Sequence, residues 1–504
     1  MIHRSTAGSF WVIVAVSFFL RFAELGQSGY WFDEILTLQN SPLPWPQMLV
    51  ALEQSESNKP PLYYVFMHQW LKGGDSEIWA RLPSAFFGAL TCGLFYLLGY
   101  RLLGNWAGWA LAVYLTLSPF HIGYSQEARM YTLFGLEGAA ALLCLVVYFQ
   151  EKKTAYLIGF GLFSVLTNYT FSYGFFLLGL AGLLLLAQWK NLGPRRALIA
   201  FATVILSFAL FVPWLLRMIH VSSTPEGVQF YKGPPWPAIA YTFYSLGYGF
   251  DLGPSLTDLQ VLGSSYFRLH PTQTVLVLVA LAVLVIITIR GLWAFRHDLF
   301  LLVFCLGGLL IFLLGPAVIS LLKPTVTYNP RYAFLVLIPF SLALAVGGRA
   351  LWRDGLPGRT VVVLYGAFLA LSLFHYYGDP AYRREDLRAA SRFVEQQPQQ
   401  PHAIVVCANN LKVVVAHYYH GPASLLDFNV NDPKTFDADT QKLAAQLNGL
   451  DRFAIVYARP DHGDRQRQFI PWLKAHYQLL QEKNWPGTEA YLFANRPPAG
   501  ALPQ

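Results

Sequence analysis

The apolar residues of this chain come in long blocks rather than amphipathic periods, and that grouping restricts its fold more than any motif does. Eleven blocks run over roughly 8–25, 79–100, 106–121, 127–149, 155–171, 172–189, 195–218, 271–290, 298–321, 331–347 and 358–377. Most are long enough to cross ~30 Å of hydrocarbon at ~1.5 Å per helical residue. The third is short, and the fifth and sixth form one apolar run that has to break near 168–174. Only 13% of the 504 residues are charged, about half the share of a soluble domain. The expected fold is a polytopic α-helical membrane protein with about 11 transmembrane helices.

Lys and Arg set the expected orientation, because cytoplasmic loops retain positive charge. With the N-terminus inside, the inner loops hold Arg4, Arg101, Lys152, Lys153, Lys190, Arg195, Arg196, Arg290, Arg296, Arg349, Arg353 and Arg359, against the acids Glu151, Asp298 and Asp354. The net charge of +8 is accounted for by this bias, and no nucleic-acid motif accompanies it. A cleaved signal peptide is the other reading of the first block, but no small-x-small site follows it, so a retained helix is expected. Cys92, Cys144 and Cys305 fall in apolar blocks and Cys407 in the tail, which gives no disulfide framework.

Two domains are expected: a membrane module over 1–377, with outer loops at 26–78 and 219–270, and an extracytoplasmic α/β domain over 378–504. In the tail a helical period runs over Arg383–Gln397. Buried strands are expected at Ala403–Cys407, Ala454–Tyr457 and Tyr491–Ala494, with a helix over Thr435–Leu447 between. His417, His420 and His462 are too scattered to suggest a metal site. The loop His220–His270, with Tyr231, Trp236, Tyr241, Tyr244, Tyr248 and Phe250, is long for a connector and is expected to cover a cavity.

Four outer-face clusters carry charge where a membrane protein has little reason to place it. Asp33 and Glu34 follow three aromatics in Tyr30-Trp31-Phe32-Asp33-Glu34. Lys59 precedes Pro60-Pro61, which start a helix over Leu62–Leu71. Ser118–Tyr131 holds Ser125, expected to cap a helix beginning near Gln126, with Glu127 in its first turn and Arg129 inside its start. Arg331 follows Asn329-Pro330. Three cations at helix N-termini suit a phosphate, since those termini already favour anions and a guanidinium binds phosphate bidentately. For each residue a plain alternative stands: Arg331 and Lys323 snorkelling to headgroups, Glu127 only capping, Asp33 pairing with Arg81.

At these residues the sequence resembles the GT-C superfamily of integral-membrane glycosyltransferases, in the branch with protein O-mannosyltransferases and the lipid A aminoarabinose transferase. The resemblance runs in order through Trp31-Phe32-Asp33-Glu34, Lys59-Pro60-Pro61-Leu62, Ala80-Arg81-Leu82-Pro83-Ser84, Tyr124-Ser125-Gln126-Glu127-Ala128-Arg129-Met130-Tyr131 and Pro330-Arg331-Tyr332. It implies an inverting transfer of a sugar from a polyprenyl-phosphate donor to a lipid, glycan or protein hydroxyl on the outer face of the bilayer. By the same resemblance Asp33 is the catalytic carboxylate. Glu34, Lys59, Tyr63, Tyr124, Glu127, Arg129, Tyr131, Arg331 and Tyr332 line the donor and acceptor cavity. No cofactor is required; relatives differ over a divalent metal, and Asp33 with Glu34 is too small a ligand set to argue one. The β-trefoil repeats of eukaryotic protein O-mannosyltransferases are missing from the tail. The implied location is a bacterial inner membrane.

Two other functions fit the same cations. A transporter or flippase of a lipid-linked anion predicts charge at mid-bilayer and inverted repeats, and Glu137 is the only mid-span acid. An oligosaccharide ligase would share the outer face and the phosphate chemistry, with a larger cavity.

Overall fold

The computed structural model describes residues 4–55, 59–221, 235–322, 328–430 and 433–496. Asn58, Tyr231 and Lys323 lie outside them. Two compact units divide the chain: residues 1–25, 37–252 and 276–373 form one, and 26–36, 253–275 and 374–504 the other. The second unit thus draws on two segments that the sequence reading grouped with the membrane module.

Each of the eleven apolar blocks is helical over most of its length. Among the described residues seven helices are long and apolar enough to cross a bilayer, Glu77–Leu103, Tyr131–Glu151, Pro194–His220, Pro271–Ala294, Leu299–Leu322, Pro330–Arg353 and Leu356–Gly378, and Thr6–Phe22 and Ser172–Ala187 are shorter apolar helices. The third and fifth blocks form helices Asn105–Leu117 and Thr154–Thr170, of 13 and 17 residues. The run that had to break does so at Phe171, whose extended backbone leads into the single turn Ser172–Gly174.

Burial sorts these helices. Within Tyr131–Glu151, 72% of the apolar window is buried, against 17% in Pro194–His220 and 11% in Leu356–Gly378. The outer helices present Leu198, Ile205, Leu206, Leu216 and Val363 to their surroundings, an apolar surface that lipid tails solvate and water does not. Close approach is reserved for small residues. A Cβ on Gly291 would run into the carbonyl of Ala343, and one on Gly347 into that of Ile287. With glycine at both places the two helices meet backbone to backbone, as membrane helices do where dispersion replaces hydrophobic drive.

The three acids of the positively charged loops each have structural work. Glu151 pairs with Arg101 at 2.9 Å and Lys153 at 2.8 Å. Asp354 takes two hydrogen bonds from Arg290, at 2.8 and 3.1 Å. Asp298 accepts from the Leu301 amide at 3.0 Å, capping the next helix. Arg349 lies over the Trp106 ring at 4.0 Å, so several of the loops assigned to the inner face meet at one end of the bundle.

The second unit has a five-stranded sheet in the order β2-β1-β3-β5-β4, with β1 Ala403–Cys407, β2 Ser424–Phe428, β3 Arg452–Ala458, β4 Gln478–Trp485 and β5 Thr488–Ala494. β1 runs parallel to β2 and β3, while β5 is antiparallel to β3 and β4. The expected strands are β1, β3 and β5, and the expected helices are Leu387–Glu395 and Phe436–Leu447. β2 and β4 were not expected, because as edge strands they are largely exposed and carry no apolar run. Pro486 and Gly487 turn β4 into β5; Gly487 has φ of 64°, as the third position of a type II turn demands.

Candidate active site

The acidic motif belongs to the second unit. Helix Phe32–Asn40 starts directly at it, with Asp33 and Glu34 in the first turn, where the dipole favours carboxylates. The Trp31 amide donates to Glu34 Oε2 at 3.3 Å. That is half of a capping box, in which the third helical residue reaches back to the residue before the helix. Glu34 is fully buried, and Asp33 keeps 8% of its surface. The pair is therefore unequal: one carboxylate holds the helix start while its neighbour retains access.

Side chains of the tail surround the preceding residues. Arg384 and Arg459 place their guanidiniums over the Trp31 ring, at 5.0 and 5.8 Å from its centre. Arg459 in turn donates to Glu385, a carboxylate almost wholly buried. The Tyr30 amide donates to Tyr418 Oη at 2.5 Å, and Arg388 donates to the carbonyls of Gly26 and Gln27. Gly29 lies against Arg388, where a Cβ would clash with that residue's own Cβ. Beside Arg459, burial raises the Asp461 carboxyl and lowers His462, whose ring is 3.5 Å from that carboxylate.

The cationic residues belong to the first unit. Arg129 is fully buried; its Nη1 donates to Thr37 Oγ1 at 2.9 Å, and its carbonyl accepts from Ser84 Oγ at 3.2 Å. Ser84 is 3.4 Å from the hydroxyl of Tyr63, also fully buried. The local structure corrects the expectation for Ser118–Tyr131. Ser118 and Pro119 start a separate short helix, Pro119–Ser125, with Ser118 Oγ accepting from the His121 amide at 3.3 Å. Ser125 ends that helix instead of capping the next, and donates back to the His121 carbonyl at 2.6 Å. The following helix begins at Tyr131, so Glu127 is not in its first turn and Arg129 stands two residues before it.

Tyr131 is where further site residues meet. Arg331 lies 5.8 Å over its ring, and Tyr124 packs edge-on at 5.1 Å. Tyr332 stacks on Tyr173 at 4.7 Å, and Phe171 touches both Tyr131 and Tyr332. Asn329 accepts from the Arg331 amide at 3.2 Å and caps the turn that Pro330 opens. Lys59 is half-buried ahead of Pro61, the cap of helix Leu62–Trp70. Pro83 stands inside helix Glu77–Leu103, where it denies the Trp79 carbonyl its usual donor. The Trp70 indole supplies one at 2.8 Å, and Trp79 returns the bond to the Trp70 carbonyl at 3.0 Å.

Arg21 went unnoticed in the sequence. Fully buried at the end of the first helix, it donates to Ser125 Oγ at 3.2 Å, the Ser17 carbonyl at 3.0 Å and the Leu115 carbonyl at 2.9 Å. His121 Nδ1 is 2.8 Å away, and because a guanidinium cannot accept, the imidazole nitrogen does. The signal was an arginine inside an apolar block, which is expensive enough to need a reason. Arg384 and Arg459 gave no such signal, being two of many charges in a soluble tail. Among the described residues no three His, Cys, Asp or Glu side chains group as a metal would require.

Residues 15–221 match the family model for dolichyl-phosphate-mannose-protein mannosyltransferase, a stretch that contains Asp33, Glu34, Lys59, Tyr63, Tyr124, Glu127, Arg129 and Tyr131 and stops short of Arg331, Tyr332 and the tail. A sequence search of curated proteins finds no match. Among solved structures, ArnT from Cupriavidus metallidurans is similar both bound to undecaprenyl phosphate (TM-score 0.50, 15% identity, 99% of each chain) and in the apo state (TM-score 0.51, 14% identity, 98% of each chain). An oligosaccharyltransferase from Archaeoglobus fulgidus tethered to an acceptor peptide aligns over 98% of this chain and 74% of its own, at 10% identity and TM-score 0.48. The motif order, the matched family model and the whole-chain likeness to ArnT agree: this is an integral membrane protein with the fold of the GT-C glycosyltransferases.

Proposed function

We propose that the protein is an inverting glycosyltransferase that moves a sugar from a polyprenyl-phosphate donor to an acceptor hydroxyl on the outer face of a bacterial inner membrane. The observation that carries this reading is the placing of two arginines about the helix start at Tyr131. Arg129 stands two residues before the helix that Tyr131 opens, and Arg331 lies over the Tyr131 ring. Backbone N–H groups at a helix start and two planar cations together match a phosphate. The ArnT crystal structure with undecaprenyl phosphate supports a lipid-phosphate ligand for this fold.

Transfer breaks the bond between the anomeric carbon and a phosphate oxygen, so negative charge on the leaving phosphate grows toward the transition state. Fixed cations stabilise that charge more than the ground state; Arg129, Arg331 and Lys59 are assigned this role. The acceptor oxygen attacks from the opposite side of the sugar, and Asp33 takes its proton as the new bond forms. Glu34, already committed to the helix start, positions its neighbour. Tyr63, Tyr124, Glu127, Tyr131 and Tyr332 contribute the cavity wall.

Purified protein in nanodiscs, given a polyprenyl-phosphate sugar and an acceptor extract, is expected to release polyprenyl phosphate. Asp33→Asn is expected to lower the rate by ~10² to 10⁴, the usual contribution of a general base. Full transfer by a folded Asp33→Asn protein would remove the base from the mechanism. Glycan mass spectrometry on a deletion strain separates the loss of one sugar from the loss of a whole chain, which is the outcome for a ligase.

A further inference from the structure

We infer that the C-terminal unit is a positioning device for the acidic motif, with Arg384 and Arg459 as the positioning residues that hold Trp31 and so fix where Asp33 stands. The inference rests on the reading of Asp33 as the base and gives the tail a part in that same reaction.

Three kinds of contact within the second unit converge on residues 26–31. Arg388 binds the carbonyls of Gly26 and Gln27, so the chain entering the motif is held through its backbone. The Tyr418 hydroxyl accepts from the Tyr30 amide, and the Tyr30 ring packs on Tyr418 at 6.4 Å and His417 at 5.6 Å. Arg384 and Arg459 then grip the Trp31 indole by its π-face, an attraction that strengthens as the cation loses water. Trp31 is the residue just before helix Phe32–Asn40, and its amide is bonded to Glu34. Fixing its ring therefore fixes the axis and rotation of the first turn, which carries Asp33.

Arg459 is prepared for this task. It lies in a left-handed backbone conformation, φ 49°, directly after β3, and is bonded to buried Glu385. A side chain with its rotamer set by an ion pair loses little freedom on meeting an aromatic ring. The same unit also holds the second outer loop, since Tyr382 donates to the Gly253 carbonyl at 2.6 Å. A merely decorative domain would have no need to bind both loops.

The test follows amide hydrogen exchange of residues 26–36 in full-length protein in nanodiscs, alongside polyprenyl-phosphate release. For Arg384→Met and Arg459→Met, exchange of 26–36 is expected to rise ~10-fold while amides of β1 and β3 keep their protection. The rate constant kcat is expected to fall by a similar factor with the donor KM held within about twofold. Arg459→Lys should recover part of both, because the cation is retained. If Arg459→Met unfolds the tail by stranding Glu385, Arg384→Met and Trp31→Leu carry the test. Unchanged exchange at 26–36 in a folded variant, or a fall in kcat without faster exchange, would overturn the inference. Absence of any turnover by the unaltered protein would count against the proposed reaction instead, and the exchange measurement would still decide whether the tail holds the motif.

Discussion

Two arginines withdrawn from solvent, one in each unit, are held in opposite ways. Arg21 in the helical unit is surrounded by carbonyls, a serine hydroxyl and an imidazole nitrogen, all neutral. Arg459 in the sheet unit is bonded to the carboxylate of Glu385. Neutral acceptors satisfy a guanidinium's hydrogen bonds but leave its charge in place, whereas a carboxylate cancels it. In a medium of low dielectric the difference is felt over many ångströms. The charge of Arg21 therefore stays uncancelled by its bonded neighbours, whereas that of Arg459 is cancelled within the tail's own architecture.

The largest effect that would break this comparison is in the tail. Glu385→Gln is expected to cost about 3 kcal/mol, because it leaves the largely covered Arg459 without its bonded counter-charge. The double change Glu385→Leu with Arg459→Met should return stability to within about 1 kcal/mol, since an apolar pair of similar volume often replaces a buried ion pair at little cost. Protection of β1 and β3 amides measures both. Arg21→Met is next, at about 3 kcal/mol, because several oriented acceptors on three helices lose their donor. No second substitution nearby is expected to rescue it, because there is no carboxylate to remove; thermal unfolding in detergent reads this out.

Smaller still is Trp70→Phe, expected to cost about 1–2 kcal/mol by orphaning the Trp79 carbonyl beside Pro83. It is checked by the same unfolding measurement with Trp79→Phe as control. The smallest concerns pH. Burial lowers His462, so the folded tail favours neutral imidazole. Above the unfolded value of ~6.5 both states are neutral and nothing is lost. As pH falls below it the unfolded chain takes up a proton that the folded one resists, and stability declines. The tail's melting temperature is expected to drop between pH 6.5 and 5, and His462→Asn should flatten that slope.

How much was legible in the sequence depended on whether one residue type carried the signal alone. Apolar blocks declare helices because the bilayer demands ~20 such residues in a row, and β1, β3 and β5 declare themselves because central strands bury both faces. The edge strands β2 and β4 look like ordinary polar chain. Pro330 announced the start of a helix correctly. Ser125 misled, because a serine followed by a glutamate reads as a cap, while Ser118-Pro119 one helix earlier had already taken the turn. The grip on Trp31 was unreadable, since it joins residues 31, 384 and 459 through contacts that only the folded chain brings together.

The exchange of indole bonds between Trp70 and Trp79 ties two positions to a third. A residue with its own N–H at position 83 would supply the Trp79 carbonyl from within the helix, and the Trp70 donor would then be redundant. The dependence between proline at 83 and tryptophan at 70 therefore runs one way: the proline is a liability without the indole, so among descendants of this sequence Trp70 is expected to be free to change only where Pro83 has gone first.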